Sequence, residues 1–257
     1  MDRALPIGLV LGIVAILGGN ILEGGHPSSL LMLPAIILVF GGTIGAAIAG
    51  GTVGDAKNAI TSLKKAFTWK PSPSAELVPV VVSLAEKARR QGLLALESEL
   101  ESCDDDFLRR GATLAVDGTD PDELREILEA ELYAKRGADK QGAKFYNDMG
   151  GYAPTIGIIG TVMGLVHVLE NLSKPDELGH LIAGAFLATL WGVLSANIIW
   201  LPIGNRLKRI GDLEAARMEL VIEGVMAIQA GANPRVVAQR LLSLLPETER
   251  EPAEQAA

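Results

Sequence analysis

Two threonines, Thr161 and Thr189, are the residues of this sequence best suited to meet a permeating cation. Each sits among glycine and alanine in a long apolar run without Asp, Glu, Lys or Arg. A hydroxyl oxygen can replace part of a cation's hydration shell or hold a water. The ordinary alternative is a bond from the threonine to the carbonyl one turn back in its own helix. Spacing leaves both readings open. The missing ionisable group is more telling, because acids and bases at membrane depth mark ion paths and proton relays. The sequence therefore reads as the wall of a channel whose titrating group comes from another chain.

The elements that must position these threonines are apolar helices. Four runs lie between charges: Ala4 to Leu22, Gly24 to Gly54, Met149 to Leu169, and Leu178 to Asn205. Each reaches the roughly 20 residues a helix needs to cross a bilayer. The second and fourth exceed one crossing, and the surplus should hold a turn at His26 and Pro27 and a helix end near Asn205. The first run is too long for the apolar core of a signal peptide, and Asp2 and Arg3 give it a weak basic start. Lys57, Lys64, Lys65 and Lys70 follow the second run, Lys135, Arg136, Lys140 and Lys144 precede the third, and Arg206, Lys208 and Arg209 follow the fourth. Basic residues mark the cytoplasmic side. Both termini and the 55–148 segment are thus expected in the cytoplasm.

Within these runs small residues recur every four positions: Gly8 and Gly12; Gly41, Gly45 and Ala49; Gly160 and Gly164; Gly184, Ala188, Gly192 and Ala196. Such faces let lipid-embedded helices pack closely, within or between subunits. Pro202 has no N–H for the Ile198 carbonyl and should bend or loosen the end of the fourth run. Pro154 either starts its helix, where proline is comfortable, or pairs with Pro202 at one depth as a hinge.

Between the apolar runs the chain reads as helical rather than disordered. Leu77, Val80, Val81, Leu84 and Ala88 form a stripe at helical spacing. Asp120, Pro121 and Glu123 supply an N-cap, a proline in the first position and an acid three after the cap, opening a helix with Leu124, Ile127, Leu128 and Leu132 on one face. Leu213 to Ile228 and Arg235 to Leu245 predict two more helices, separated by Gly231-Ala232-Asn233-Pro234, and the polar tail from Pro246 is expected to be loose. Nothing alternates as a strand would. The fold expected is an all-α membrane protein with four transmembrane helices in two hairpins, 1–54 and 149–205, and a helical cytoplasmic subdomain from 55–148 and 206–257.

Other functions fit poorly. A net charge of −8 gives no basic face for nucleic acid. The lone Cys103 excludes an internal disulfide framework. His26, His167 and His180 lack metal-ligand spacing, and no catalytic constellation is visible, so neither an enzyme nor a bound cofactor is expected.

Tyr152-Ala153-Pro154-Thr155-Ile156-Gly157-Ile158-Ile159-Gly160-Thr161-Val162-Met163-Gly164-Leu165, then Leu187-Ala188-Thr189-Leu190-Trp191-Gly192 and Asn197-Ile198-Ile199-Trp200-Leu201-Pro202-Ile203, resemble the MotA/PomA family of flagellar stator subunits. Val116-Asp117-Gly118-Thr119-Asp120-Pro121 and Gly231-Ala232-Asn233-Pro234-Arg235 do too, so the likeness runs from the first apolar run to about Leu245. The resemblance implies a multi-pass subunit of the bacterial inner membrane. In that family about five copies ring a pair of MotB/PomB-type subunits, which bring the channel aspartate and grip peptidoglycan. H⁺ or Na⁺ flow then turns the ring against the rotor. Carried over by position, Thr161 and Thr189 line the ion pathway, and Pro154 and Pro202 couple ion passage to movement. Arg89, Arg90, Glu97 and Glu99 meet the rotor protein FliG; without the resemblance they would read as a solvated helix face. The coupling ion stays open, with a lean to H⁺. The alternative is an ExbB/TolQ-like proton-channel subunit energising an envelope process. Those relatives usually have three spans, with the large cytoplasmic segment after the first, whereas here a complete apolar pair precedes residue 55.

Overall fold

The computed structural model describes residues 2–250, which are predominantly helical with no strand among them. The helices are α1 (Ala4–Leu22), α2 (Leu33–Ala49), α3 (Val53–Thr68), α4 (Leu77–Gln91), α5 (Glu97–Leu100), α6 (Asp106–Val116), α7 (Pro121–Glu170), α8 (Pro175–Gln229) and α9 (Pro234–Leu244). Three of them, α1, α7 and α8, are long and apolar enough to cross a membrane, and α2 is a shorter apolar helix. The chain divides into two compact units, one running up to Lys70 with Asp139–Ile210, the other comprising Pro71–Ala138 and the residues from Gly211 on. Helices α7 and α8 contribute to both.

In the first unit the apolar helices keep much of their surface open: Val10, Leu11 and Val14 of α1 and Ile158, Val162 and Met163 of α7 are all more than half exposed. Such surface is tolerable only against lipid or other subunits. At the basic end the helices are tied by polar contacts that replace water. Tyr146 donates its hydroxyl to the Ala59 carbonyl at 2.7 Å, and burial pushes that phenol up to about 12. Arg206, counted in the sequence as one basic residue among several, donates instead to the Ala66 carbonyl at 2.7 Å and to the Asp2 carbonyl and carboxylate at 3.0 and 3.2 Å. The Ala4 N–H, and then the Arg206 charge, hold the Asp2 carboxyl below its ordinary range. Helix α3 opens with a capping box in which Thr52 and Asp55 exchange side-chain bonds with each other's backbone N–H.

The second unit has a conventional core. Val78, Val81, Leu108, Leu124, Leu128, Leu220, Val225 and Leu241 are almost wholly out of water. Each such leucine is worth about 1.5–3 kcal/mol relative to exposure. Two members of the expected stripes are not in it: Val80 and Ile127 are each 41% exposed, while Val78 and Ala85 complete the α4 face. A helical repeat admits neighbours at both three and four residues, and the helices packed alongside decide which one is covered. Asp120 caps α7, its carboxylate accepting from the Asp122 N–H at 2.9 Å, with Pro121 in the first position. Arg217 joins the Asp105 carboxylate at 2.9 Å to the Pro73 carbonyl at 3.0 Å.

Three expectations need correction. No break separates the Pro121 helix from the third apolar run, nor the fourth run from the helix at Leu213; both are continuous. Pro154 therefore lies inside α7 and does not start it. The tail is also not loose from its first residue. Glu249 accepts from the Ala75 N–H at 3.2 Å, and Arg250 donates to the Leu242 and Leu245 carbonyls. The rest of the tail lies outside the described residues.

Candidate functional site

Helices α7 and α8 touch backbone to backbone. A Cβ placed on Gly157 would lie 2.8 Å from the Ala188 carbonyl oxygen, and one on Gly192 would lie 2.6 Å from that of Ala153. Gly160 and Gly164 continue the seam against Ala188 and Ala185. Gly160, Gly164, Ala188 and Gly192 belong to the four-residue repeats visible in the sequence, here meeting across one interface.

That approach brings Thr161 and Thr189 together. Their hydroxyl oxygens are 2.5 Å apart. Thr161 Oγ1 lies 3.2 Å from the Gly157 carbonyl, one turn back in its own helix, and 2.9 Å from the Ala185 carbonyl of the other helix. Thr189 Oγ1 reaches the same Gly157 carbonyl at 3.4 Å. The contact with a helix's own carbonyl, the ordinary alternative, is thus present for Thr161, and its hydroxyl also stands within reach of a carbonyl of the other helix. Four oxygens form one cluster, two hydroxyl and two carbonyl. Such a cluster offers dipoles to a cation or a water, but nothing in it takes up a proton near neutral pH. Replacing Thr189 with alanine should leave Thr161 its single proton to give to the Gly157 or the Ala185 carbonyl, so thermal stability changes by only about 1 kcal/mol.

The prolines flank this seam. Pro154 packs so closely on α8 that its Cα would stand 3.3 Å from a Cβ on Gly192. Directly before Pro202, Ser195–Trp200 is π-helical, a widening of the ladder that accommodates the missing N–H. A second π-helical turn, Ile37–Gly41, lies in α2. Neither turn was visible in the sequence, because a π turn has no residue signature of its own. Trp191 donates its indole N–H to the Leu30 carbonyl at 2.8 Å. A cavity of about 340 Å³, bordered by Leu38, Gly160, Met163 and Gly184, also has His167 and His180 in its lining. The histidines' sequence spacing gave no sign of that. No group of three or more His, Cys, Asp or Glu suited to a metal ion occurs among the described residues.

The charged candidates lie in the second unit. Arg89 and Arg90 occupy the exposed last turn of α4. Gly92, at φ +86°, then reverses the chain in a conformation that disfavours any side chain. Glu97 is exposed on the short helix that follows, but Glu99 is engaged, its carboxylate 2.8 Å from Lys87 Nζ.

Residues 6–92 match the N-terminal segment of motility protein A, and residues 99–220 match the MotA/TolQ/ExbB proton channel family. Motility protein A of Bacillus subtilis is 38% identical over 97% of this chain and 93% of its own length. The chain belongs to the motility protein A family. Chemotaxis protein PomA of Vibrio alginolyticus is 34% identical over 97% of this chain and 98% of its own. Among solved structures, the flagellar MotAB stator complex from Bacillus subtilis superposes with a TM-score of 0.89 at 38% identity, covering 96% of this chain and 97% of that one. The C. jejuni MotAB structure gives 0.91 at 31%, with the same coverage. The match over 6–92 is to motility protein A itself, which favours this family over its ExbB and TolQ relatives.

Proposed function

We propose that the chain is the A subunit of a flagellar stator, an inner-membrane protein that converts cation flow into torque. One observation carries the reading: the crossed Thr161–Thr189 contact lies between two apolar helices whose facing runs hold no Asp, Glu, Lys or Arg. That arrangement suits a channel wall and lacks a titrating centre. A MotB/PomB-type partner supplies the aspartate, and several copies of this chain, five by family resemblance, surround a pair of such partners. The MotAB complexes to which the chain is similar support the pairing.

In this reading α1, α2, α7 and the apolar part of α8 cross the membrane as two hairpins, with both termini in the cytoplasm and 55–148 and 206–257 forming the rotor-facing body. Thr161 and Thr189 give oxygens to the hydrated cation as it passes to the partner's carboxylate. Pro154 and Pro202 let the helix ends on either side swing when that carboxylate changes charge. Arg89, Arg90 and Glu97 meet FliG; Glu99, paired with Lys87, orients that segment and adds to the contact when the pair opens. The coupling ion in this reading is H⁺, with Na⁺ the alternative that swimming without Na⁺ decides. No cofactor takes part and no reaction is catalysed.

Three measurements test this. Expressed with its MotB-type partner in a stator-deleted strain, the chain should restore swimming that persists without Na⁺ and stops with a protonophore. Reconstituted alone in liposomes it should pass no cations; robust flux would refute the borrowed-acid reading. Reversing the charge at both Arg89 and Glu97 should reduce recruitment of fluorescently tagged stators to motors while leaving membrane insertion intact, because exposed charges govern encounter more than stability. Undiminished recruitment would remove those residues from the rotor contact.

A further inference from the structure

Helices α1 and α8 touch at two places and part between them. Toward the middle of α1, a Cβ on Gly12 would stand 3.1 Å from Ile198 Cδ1. At the start of α1, Arg206 reaches the Asp2 carboxylate at 3.2 Å. Between these contacts lies a cavity of about 360 Å³, lined by Ala4, Gly8 and Leu9 of α1 and by Ile198, Pro202 and Arg206 of α8. The stretch from Ala4 to Gly12 is about 12 Å of helix. Two features of the sequence keep it open. Gly8 has no side chain, and a Cβ there would meet nothing within 4 Å. On α8, the π-helical Ser195–Trp200 turn and the Pro202 ring stand where a regular helix would present a closer surface. Ala4, Gly8 and Asn197 are exposed, so the cavity is a groove that opens sideways. Asn197 gives its amide N–H to the Val193 carbonyl of its own helix at 2.9 Å, and the groove walls are otherwise apolar up to Arg206.

The Arg206 end of the groove is basic. The Asp2 N–H donates to the Trp69 carbonyl at 3.2 Å, which places the Trp69–Lys70 peptide beside Asp2. Arg209 shares a helix face with Pro202 and Arg206, seven and three residues back. Lys70 and Arg209 are exposed and have no ion pair among the described residues, whereas Asp2 is already paired with Arg206. An apolar groove two turns long with free cations at its mouth is complementary to an acyl chain below an anionic headgroup, and basic pockets between membrane helices bind such headgroups. We propose that the groove binds one anionic phospholipid, with an acyl chain along Gly8 and Ile198 and the phosphate at Arg209 and Lys70. A second copy of the chain suits the mouth less well, because the acids at the matching end of its helices, Asp55 and Asp148, are already bonded to Thr52 and Lys144. The site rests on the reading that α1 and the apolar part of α8 cross the membrane, and it does not depend on which ion the protein conducts.

The test uses the full chain purified from membranes with the subunits that accompany it, stripped of loosely held lipid and then offered phosphatidylglycerol or phosphatidylethanolamine. Native mass spectrometry counts the lipids and the copies in each complex. Wild type should retain one phosphatidylglycerol for each copy of the chain. Gly8→Leu fills the groove and should reduce that retention several-fold, whereas Gly18→Leu, at a position of α1 outside the groove where a Cβ likewise meets nothing within 4 Å, should not. Arg209→Gln alters an exposed side chain and leaves the packing alone. It should lower the preference for phosphatidylglycerol over phosphatidylethanolamine by about five-fold, the share of one basic residue beside an anionic headgroup. Equal retention by wild type and Gly8→Leu, or a wild type without preference between the two lipids, overturns the proposal. So does a Gly8→Leu complex with fewer copies, the sign of a second copy in the groove. A chain that carbonate washes off the membrane refutes the spanning reading and the site together; one that stays embedded yet holds no lipid refutes the site alone.

Discussion

Gly157→Val should abolish swimming and lower the stability of the subunit. The atoms that a side chain at Gly157 would strike are backbone: the Ala188 carbonyl oxygen at 2.8 Å and the Gly192 and Thr189 Cα atoms, both at 3.2 Å. No rotamer change relieves that contact, so α7 and α8 must separate along their length. Overpacking of this kind costs about 1–3 kcal/mol. Separation also pulls the Thr161 and Thr189 hydroxyls apart and breaks the bonds crossing at the Gly157 and Ala185 carbonyls. The control is Gly151→Ala, two turns nearer the start of α7, where a Cβ meets nothing within 4 Å. It should swim normally. Swimming assays with membrane immunoblots and thermal melts of both variants decide the matter: a motile Gly157→Val strain would mean that the close approach is not needed for function.

Pro154→Leu and Pro202→Leu should also abolish swimming, but with the opposite effect on stability. A proline inside a helix removes an N–H and crowds the preceding turn, at about 3 kcal/mol or more. Leucine restores the donor, and at Pro202 it allows the π-helical Ser195–Trp200 turn to close into a regular ladder. The variants should therefore reach the membrane in normal amounts, melt no lower than wild type, and generate no torque. This is the trade expected where activity needs a weak point in a helix. Contact with Gly192 makes Pro154 the more sensitive of the two to packing, so Pro202→Leu is the cleaner test. Normal swimming by both variants would reject the hinge.

The helical class, the apolar runs and the candidate residues were legible in the sequence because each depends on local pattern. An uncharged run is apolar in any fold, Asp120 with Pro121 starts a helix through its own backbone chemistry, and small residues four apart share a helix face wherever the helix goes. The FliG-contact candidates came from resemblance and the prolines from their own backbone chemistry, and the structure adds their setting: Arg89 and Arg90 in the last turn of α4, Glu99 held by Lys87, and Pro154 well inside α7. Helix boundaries were the weakest part. Apolar runs end at the first charge, but the helical ladder of α7 does not, since Lys and Asp are compatible with a helix once it leaves the bilayer.

The sequence by itself determined that the chain is helical, that its longest apolar runs carry no Asp, Glu, Lys or Arg, and that threonines and glycines share those runs. These are properties of single helices, set by side-chain type and the 3.6-residue repeat. Which oxygen answers which hydroxyl, that Val78 rather than Val80 faces the core, and that Arg206 turns inward to Asp2 and Ala66 were decided only by the tertiary structure. Each depends on the rotation and register of one helix against another. Those are fixed by contacts between residues up to about two hundred positions apart, such as Asp2 with Arg206, which no local pattern encodes.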